Sequence, residues 1–488
     1  MTAKVKNLLF IFSDQHAQSV AGCYGDRNVK TPALDDLAKR GVRFDNAYCA
    51  SPICVPSRMS MLTAQHPSKQ RCWTNDDHLA SDAPTWLHAL GAAGLYPELI
   101  GRMHAMGPDQ MHGYAHREVG DHSPNWGGVP RHDMGVLNGT NDPQGHSLVA
   151  CGAGQSAYEL KDCDVTAATI EALDRIAREC RPFCLTVGLM LPHAPYVAAE
   201  GWVDHYLQVL DPPSIPKDAN EHPWLSWWRK NRGIENLPER NSRLARAAYW
   251  GLVSTMDEMI GRILEKLQET GLDRNTLVVY ASDHGDHIGE RGLWWKHTLF
   301  DESTKVPLIM ALPGTLPEGI AKKEVVGLVD VAQTMVEALG GKPLPDADGH
   351  SFWPLLCGHQ QDWENLVFSE YCTDAVPAWT GGRAVQQRMV RYGAWKLHFY
   401  SGDPPLLFNL EDDPQELEDR SRDPACAEII KKLTMLVLGD WDPELVRRHM
   451  LNRRAQKDIL AEWANNILPQ STHQWSLKPE MNRLDKNS

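Results

Sequence analysis

Three short apolar runs constrain the fold of this chain more than any other feature. Residues 7–12, 183–191 and 276–281 show no polar/apolar alternation, the pattern of strands buried on both faces. Each run stops at a polar cluster: Ser13-Asp14-Gln15-His16, Pro192-His193-Ala194-Pro195 and Ser282-Asp283-His284-Gly285-Asp286. In open α/β sheets, ligands bind beyond the carboxyl ends of the strands. Three such clusters from distant parts of the chain are therefore expected to meet at one site. Helices are expected between the strands. Thr31-Pro32 is a helix start, with Leu34, Leu37 and Ala38 at helical spacing. Residues 254–270 are amphipathic, with Ile260, Ile263, Leu264 and Leu267 on one face and Gly271 as the stop.

With 488 residues, 42% hydrophobic and 23% charged, the chain is long enough for more than one domain. A net charge of −14 argues against nucleic acid or an anionic membrane as partner. No apolar run approaches the roughly 18 residues that span a bilayer, and the first residues lack a secretion signal's apolar stretch. Eleven scattered cysteines without a regular framework are expected to be mostly reduced, which favours a cytoplasmic location. The division expected is a catalytic α/β domain over residues 1–360 and a smaller α+β subdomain over 361–488. Short strands around 366–370, 387–391, 394–399 and 407–410 suggest an antiparallel sheet in the latter, followed by a helix over 427–438. Residues 200–250 are rich in Trp (Trp202, Trp224, Trp227, Trp228, Trp250) and form either an insertion over the mouth of the site or a helical core patch. The polar tail after Gln470 is an arm or an oligomer contact, which makes a homo-oligomer an open possibility.

Chemistry is concentrated around Cys54-Val55-Pro56-Ser57-Arg58, upstream of a helix-like run. A cysteine and an arginine four apart on a first helical turn can face the same pocket, and a helix start suits a tetrahedral anion. Asp14, Asp283 and His284 are hard or borderline ligands for a divalent cation, and Gln15 offers a neutral carbonyl oxygen. A cation there would polarise a sulfuryl or phosphoryl oxygen.

The motif Cys-x-Pro-Ser-Arg resembles the signature of the type I sulfatases, in the alkaline phosphatase superfamily. Residues 7–14, the block 30–63, Gly101-Arg102-Met103-His104, Pro192-His193-Ala194-Pro195, residues 282–289, and Lys296 followed by Val306-Pro307 are similar to successive motifs of that family, in the same order. Leu407-Phe408-Asn409-Leu410 with Asp413-Pro414 is similar to its C-terminal motif. The resemblance implies an alkaline phosphatase-like sandwich: a large mixed, mostly parallel sheet flanked by helices, with a smaller C-terminal antiparallel sheet. It implies hydrolysis of a sulfate ester to an alcohol and sulfate. The nucleophile would be the hydrate of formylglycine, made from Cys54 by a formylglycine-generating enzyme.

By the same resemblance Asp14, Gln15, Asp283 and His284 hold the metal with residue 54. Arg58 holds the modified residue, while Arg102 and His104 bind sulfate and assist the hydrate. His193 and Lys296 serve the leaving oxygen, and Asn75 contacts the transferred group.

Three positions depart from the family pattern. Gln15 stands where Asp is usual, His284 where Asn is common, and Arg102 where Lys is usual. The Gln15/His284 pair is similar to choline sulfatases and to phosphonate monoester hydrolases. It removes a negative charge, leaving Ca2+ as first choice and Mn2+ as alternative. Residues 101–113 look most like choline sulfatases, and Ser57 favours a sulfatase over the phosphonate hydrolases. The resemblance implies a small-molecule or saccharide sulfate ester as substrate. A phosphonate monoester or phosphodiester hydrolase with the same site is the alternative, and a non-catalytic metal-binding relative a remote one. His112, His116, His122 and His132 match no zinc spacing and are expected to be surface or substrate-loop histidines. Cys23, Cys49 and Cys72 are expected to be structural. Trp294 and Trp295 either line the leaving-group pocket or pack in the core.

Overall fold

The three apolar runs lie side by side at the centre of an eight-stranded sheet. The structure is a computed structural model and describes residues 5–179, 181–218, 221–360, 362–374 and 383–485. In chain order its strands are β1 (Asn7–Asp14), β2 (Val42–Tyr48), β3 (Tyr96–Gly101), β4 (His116–Glu118), β5 (Gly152–Gln155), β6 (Phe183–Pro192), β7 (Val197–Ala198), β8 (Thr276–Ser282), β9 (Leu308–Ala311), β10 (Ile320–Gly327), β11 (Leu366–Thr373), β12 (Val385–Tyr392), β13 (Trp395–Tyr400), β14 (Leu406–Asn409) and β15 (Arg483–Leu484). The large sheet runs β10-β2-β9-β8-β1-β6-β3-β4, parallel except where β9 meets β2 and β8. Register places Asp14 opposite Pro192 and Ser13 opposite Ser282, so the three polar clusters leave the sheet at one level.

The absence of alternation in β1 has a direct cause. Leu9 and Ile11 pack into one core, with the helices Ala157–Glu179 and Glu239–Glu269; Leu8, Phe10 and Phe12 pack into another, with Cys54–Thr63 and Leu328–Ala338. Every residue of β1 is buried, and each large apolar side chain so placed contributes about 1.5–3 kcal/mol. The Glu239–Glu269 helix begins well before the expected 254, because Leu244, Ala247, Ala248 and Leu252 continue its buried face. It stops at Gly271, in the left-handed region at φ 69°.

Strands β11 to β14 form the expected antiparallel sheet, and the helix Ala427–Leu438 follows. One face of this sheet packs Val390, Leu397 and Leu407 on Leu433, Val437 and Trp441. The other packs Met389, Tyr371 and Phe408 on Trp224, Trp228, Leu293, Leu299 and Phe300. The Trp-rich segment is thus largely a helical core patch. Trp224, Trp228 and Trp250 are buried, and Trp202 and Trp227 half-buried. Trp294 and Trp295 are buried as well.

The polar tail folds back on its own chain. Asp121 donates its backbone N–H to the His473 carbonyl (2.9 Å), Trp475 donates to the Asp121 carbonyl (2.7 Å), and β15 pairs with β5. Among the described residues no helix is long and apolar enough to cross a membrane.

Candidate active site

Cys54 is the first residue of the buried helix Cys54–Thr63, which the chain ties to the sheet through its own motif. Ser57 Oγ donates to the Asp283 carbonyl (2.5 Å), and Arg58 Nε donates to Asp283 Oδ2 (2.8 Å). Arg58 Nη2 reaches Asp14 Oδ2 at 3.1 Å and the Ser13 carbonyl at 3.2 Å. The motif's serine and arginine therefore bolt the helix to the ends of β1 and β8. Arg58 itself meets the two carboxylates, with its guanidinium over the Phe12 ring at 4.7 Å.

Asp14, Cys54, Asp283 and His284 bring one ligand atom each to within 4.8 Å of one another, all buried. Arg58 and Arg102 pair the carboxylates from behind, while the atoms facing forward share one point, as the ligands of a divalent cation do. Gln15, held at φ 67°, extends the set. Its Nε2 donates to Asp286 Oδ2 (2.6 Å), leaving Oε1 buried without a hydrogen-bond partner. An orphaned acceptor beside two carboxylates, a thiol and an imidazole fits a divalent cation.

The thiol sits in positive surroundings. Lys296 Nζ lies 3.0 Å from Cys54 Sγ and His284 Nε2 3.3 Å from it. Burial alone would push the Cys54 thiol up; Lys296, His284 and hydrogen bonds with His104 and His193 hold it well below its ordinary value. Lys296 is delivered by a strained loop. Its neighbours Trp295 and His297 are both left-handed, at φ 63° and 78°, at about 1–2 kcal/mol each. The His297 ring, 4.9 Å from Trp228 and 5.4 Å from Tyr371, anchors that loop on the Trp-rich patch.

The remaining expected residues also gather here. Asn75 Oδ1 accepts the Val55 N–H at 3.0 Å, capping the helix start beside Cys54. His193 is half-buried, with Nδ1 2.6 Å from the Ala194 carbonyl. Arg102 is placed where the chain leaves β3 tight against its parallel neighbour β6. Its N–H donates to the Gly188 carbonyl (2.9 Å), and a Cβ on Gly188 would overlap the Arg102 carbonyl oxygen. Its side chain is fully engaged: Nε with Asp14 Oδ2 (2.8 Å), Nη1 with Asp121 Oδ1 (2.9 Å) and Nη2 with His104 Nδ1 (2.6 Å). Burial and then Arg102 push the His104 imidazolium down.

Sequence reasoning missed Asp121 and the function of Asp286. Asp286 was legible as part of a polar cluster, but its task is to orient Gln15, with Tyr196 OH as a second donor at 2.6 Å. Asp121 follows the three-residue strand β4 and carried no periodic or motif signal. Of the four loop histidines, His116 and His132 are exposed as expected. His112 and His122 are buried, His122 because its Nε2 pairs with Tyr158 OH at 3.0 Å. Cys49 and Cys72 are buried and Cys23 half-buried.

Comparison with known proteins agrees with this geometry. The sulfatase family model matches residues 6–341, and the model for the C-terminal part of N-sulphoglucosamine sulphohydrolase matches 289–439. A choline-sulfatase of Rhizobium meliloti (strain 1021) is 32% identical, over 96% of this chain and 93% of that protein. Arylsulfatase K of Danio rerio is 28% identical over 94% of this chain and 88% of its own length. A phosphonate monoester hydrolase structure from Agrobacterium radiobacter superposes with a TM-score of 0.74 at 22% identity, covering 93% of this chain and 96% of that one, which speaks for a shared fold. With its family model covering most of the chain and its motif residues gathered at the strand ends, this protein belongs to the sulfatase family and is a sulfuric ester hydrolase.

Proposed function

We propose that the enzyme works through formylglycine at position 54 and a divalent cation held by Asp14, Gln15, Asp283, His284 and residue 54. The observation carrying this reading is the convergence of Cys54 with two carboxylates and an imidazole within 4.8 Å, beside the Lys296 ammonium at 3.0 Å. A bound cation, Ca2+ or Mn2+, would withdraw charge from a sulfuryl oxygen and favour the ionised hydrate. Every other task falls to the chain's own residues. Arg58 holds the two carboxylates in place. Lys296 and His193 face the departing oxygen, His193 supplying its proton and Lys296 an electrostatic clamp. Asn75 and the start of the Cys54–Thr63 helix receive the nonbridging oxygens.

Residue 54 as a hydrated aldehyde offers two hydroxyls. One attacks sulfur and expels the alcohol; loss of the proton from the other then releases sulfate and restores the aldehyde. A thiol or serine has no second hydroxyl for this. The substrate is a small-molecule or saccharide sulfate ester, and the choline-sulfatase relative makes choline sulfate the first compound to try. The test is a panel of choline sulfate, an aryl sulfate, a sulfated sugar and an aryl phosphonate, compared by kcat/KM. A sulfate ester at the head of the panel supports the reading. Preference for the phosphonate would replace it with the phosphonate monoester hydrolase alternative.

A further inference from the structure

We infer that Asp121 is a positioning residue of this enzyme, acting through Arg102 to fix the ring orientation and tautomer of His104. The inference rests on the proposed reaction for its consequence in catalysis, but not for its geometry. Asp121 is buried where the chain leaves β4, with both backbone groups pinned by His473 and Trp475. Its Oδ1 accepts Arg102 Nη1 at 2.9 Å, and its Oδ2 accepts the His104 backbone N–H at 3.1 Å. One carboxylate thus holds both the guanidinium and the main chain of the histidine it serves. His104 sits at φ 57°, and that N–H bond helps keep it there.

The orientation of the proton follows from the donor inventory. A guanidinium has donors and no acceptor. Arg102 Nη2 at 2.6 Å from His104 Nδ1 must therefore donate, and Nδ1 must accept. In the neutral ring the proton is then on Nε2. Nδ1 has one in-plane site and Arg102 occupies it, which leaves Nε2 as the ring atom free for another partner. A lysine at position 102 has a single nitrogen, so it lacks the planar fork that joins Asp14, Asp121 and His104 at once.

The test uses full-length, metal-loaded enzyme from a host with the maturing activity, labelled with 15N-histidine. His104 is assigned by difference with His104→Gln. The wild type is expected to show His104 as the Nε2–H tautomer, with Nδ1 as a hydrogen-bonded acceptor. Asp121→Asn is expected to lower kcat roughly 10- to 100-fold, with KM and bound metal little changed, and to mix the two tautomers. Asp121→Glu should recover part of both. Should Asp121→Asn fail to fold, the wild-type spectrum and Arg102→Lys decide, the latter expected to lose the single tautomer. A wild-type Nδ1–H tautomer, or full kcat in folded Asp121→Asn, overturns the inference. Because the tautomer is read without substrate, a phosphonate preference would refute the proposed reaction and leave this result standing.

Discussion

Two buried clusters of charge in this molecule use the same residue types for different ends. Under the small sheet, Lys396 lies 2.6 Å from Asp301 and 2.9 Å from Glu416, and His398 lies 3.2 Å from Glu416. Glu416 Oε2 also accepts the Asp301 N–H at 2.7 Å, while Arg391 bonds Tyr48. Each acid there faces a cation from another part of the chain, so the cluster joins the C-terminal sheet to the segment after Lys296. At the strand ends, Asp14 and Asp283 have cations behind them, Arg58 and Arg102, but converge with Cys54 and His284 in front. Burial of charge therefore does not distinguish the functional cluster. Convergence of ligand atoms on one point does.

The sharpest separation comes from removing one group in each cluster. Cys54→Ala should reduce sulfate release by at least about 10³-fold and leave stability within about 1 kcal/mol; residual activity near wild type would break the comparison. Lys396→Met should do the reverse. It strands two buried carboxylates and should cost about 3–5 kcal/mol in denaturant unfolding, while the folded fraction keeps its kcat within a few-fold. Stripping the cation by a chelator should lower stability by about 3 kcal/mol relative to a cation concentration ~100 times Kd. The Lys396→Met variant should lose the same increment, because its change lies in the other cluster; calorimetry with and without chelator reads both.

The smallest effect concerns acid. Burial pushes Glu416 up, but Lys396 and His398 together outweigh it, so the folded value lies below the ordinary 4.5, at about 2. A depressed carboxylate contributes stability above its unfolded value and loses it as pH falls toward the folded one. Unfolding between pH 4.5 and 2 should therefore be shallower in Glu416→Gln than in the wild type.

Legibility in the sequence followed the strength of the local physics. The three central strands were readable because both faces of β1, β6 and β8 are buried, so the apolar runs are unbroken. Asp14, Asp283, His284 and Cys54 were readable because they sit at strand ends or on a first helical turn. Asp121 was not, since a three-residue strand and a loop give no period to follow. The Trp-rich stretch was ambiguous because an apolar helix face looks the same over a pocket or against a sheet. Contact of Trp224 with Tyr371, far along the chain, and burial of Trp228 in the same cluster decided it. Likewise the tail's polarity gave no hint that it would pin Asp121.

We propose Cys54 as the precursor of the nucleophile, poised by its cluster. Peptide mass analysis of residue 54, in protein made with a formylglycine-generating enzyme, tests it most directly. The mass of formylglycine is expected, in a fraction that rises with specific activity. Full sulfatase activity from protein whose residue 54 is entirely unmodified cysteine would contradict it.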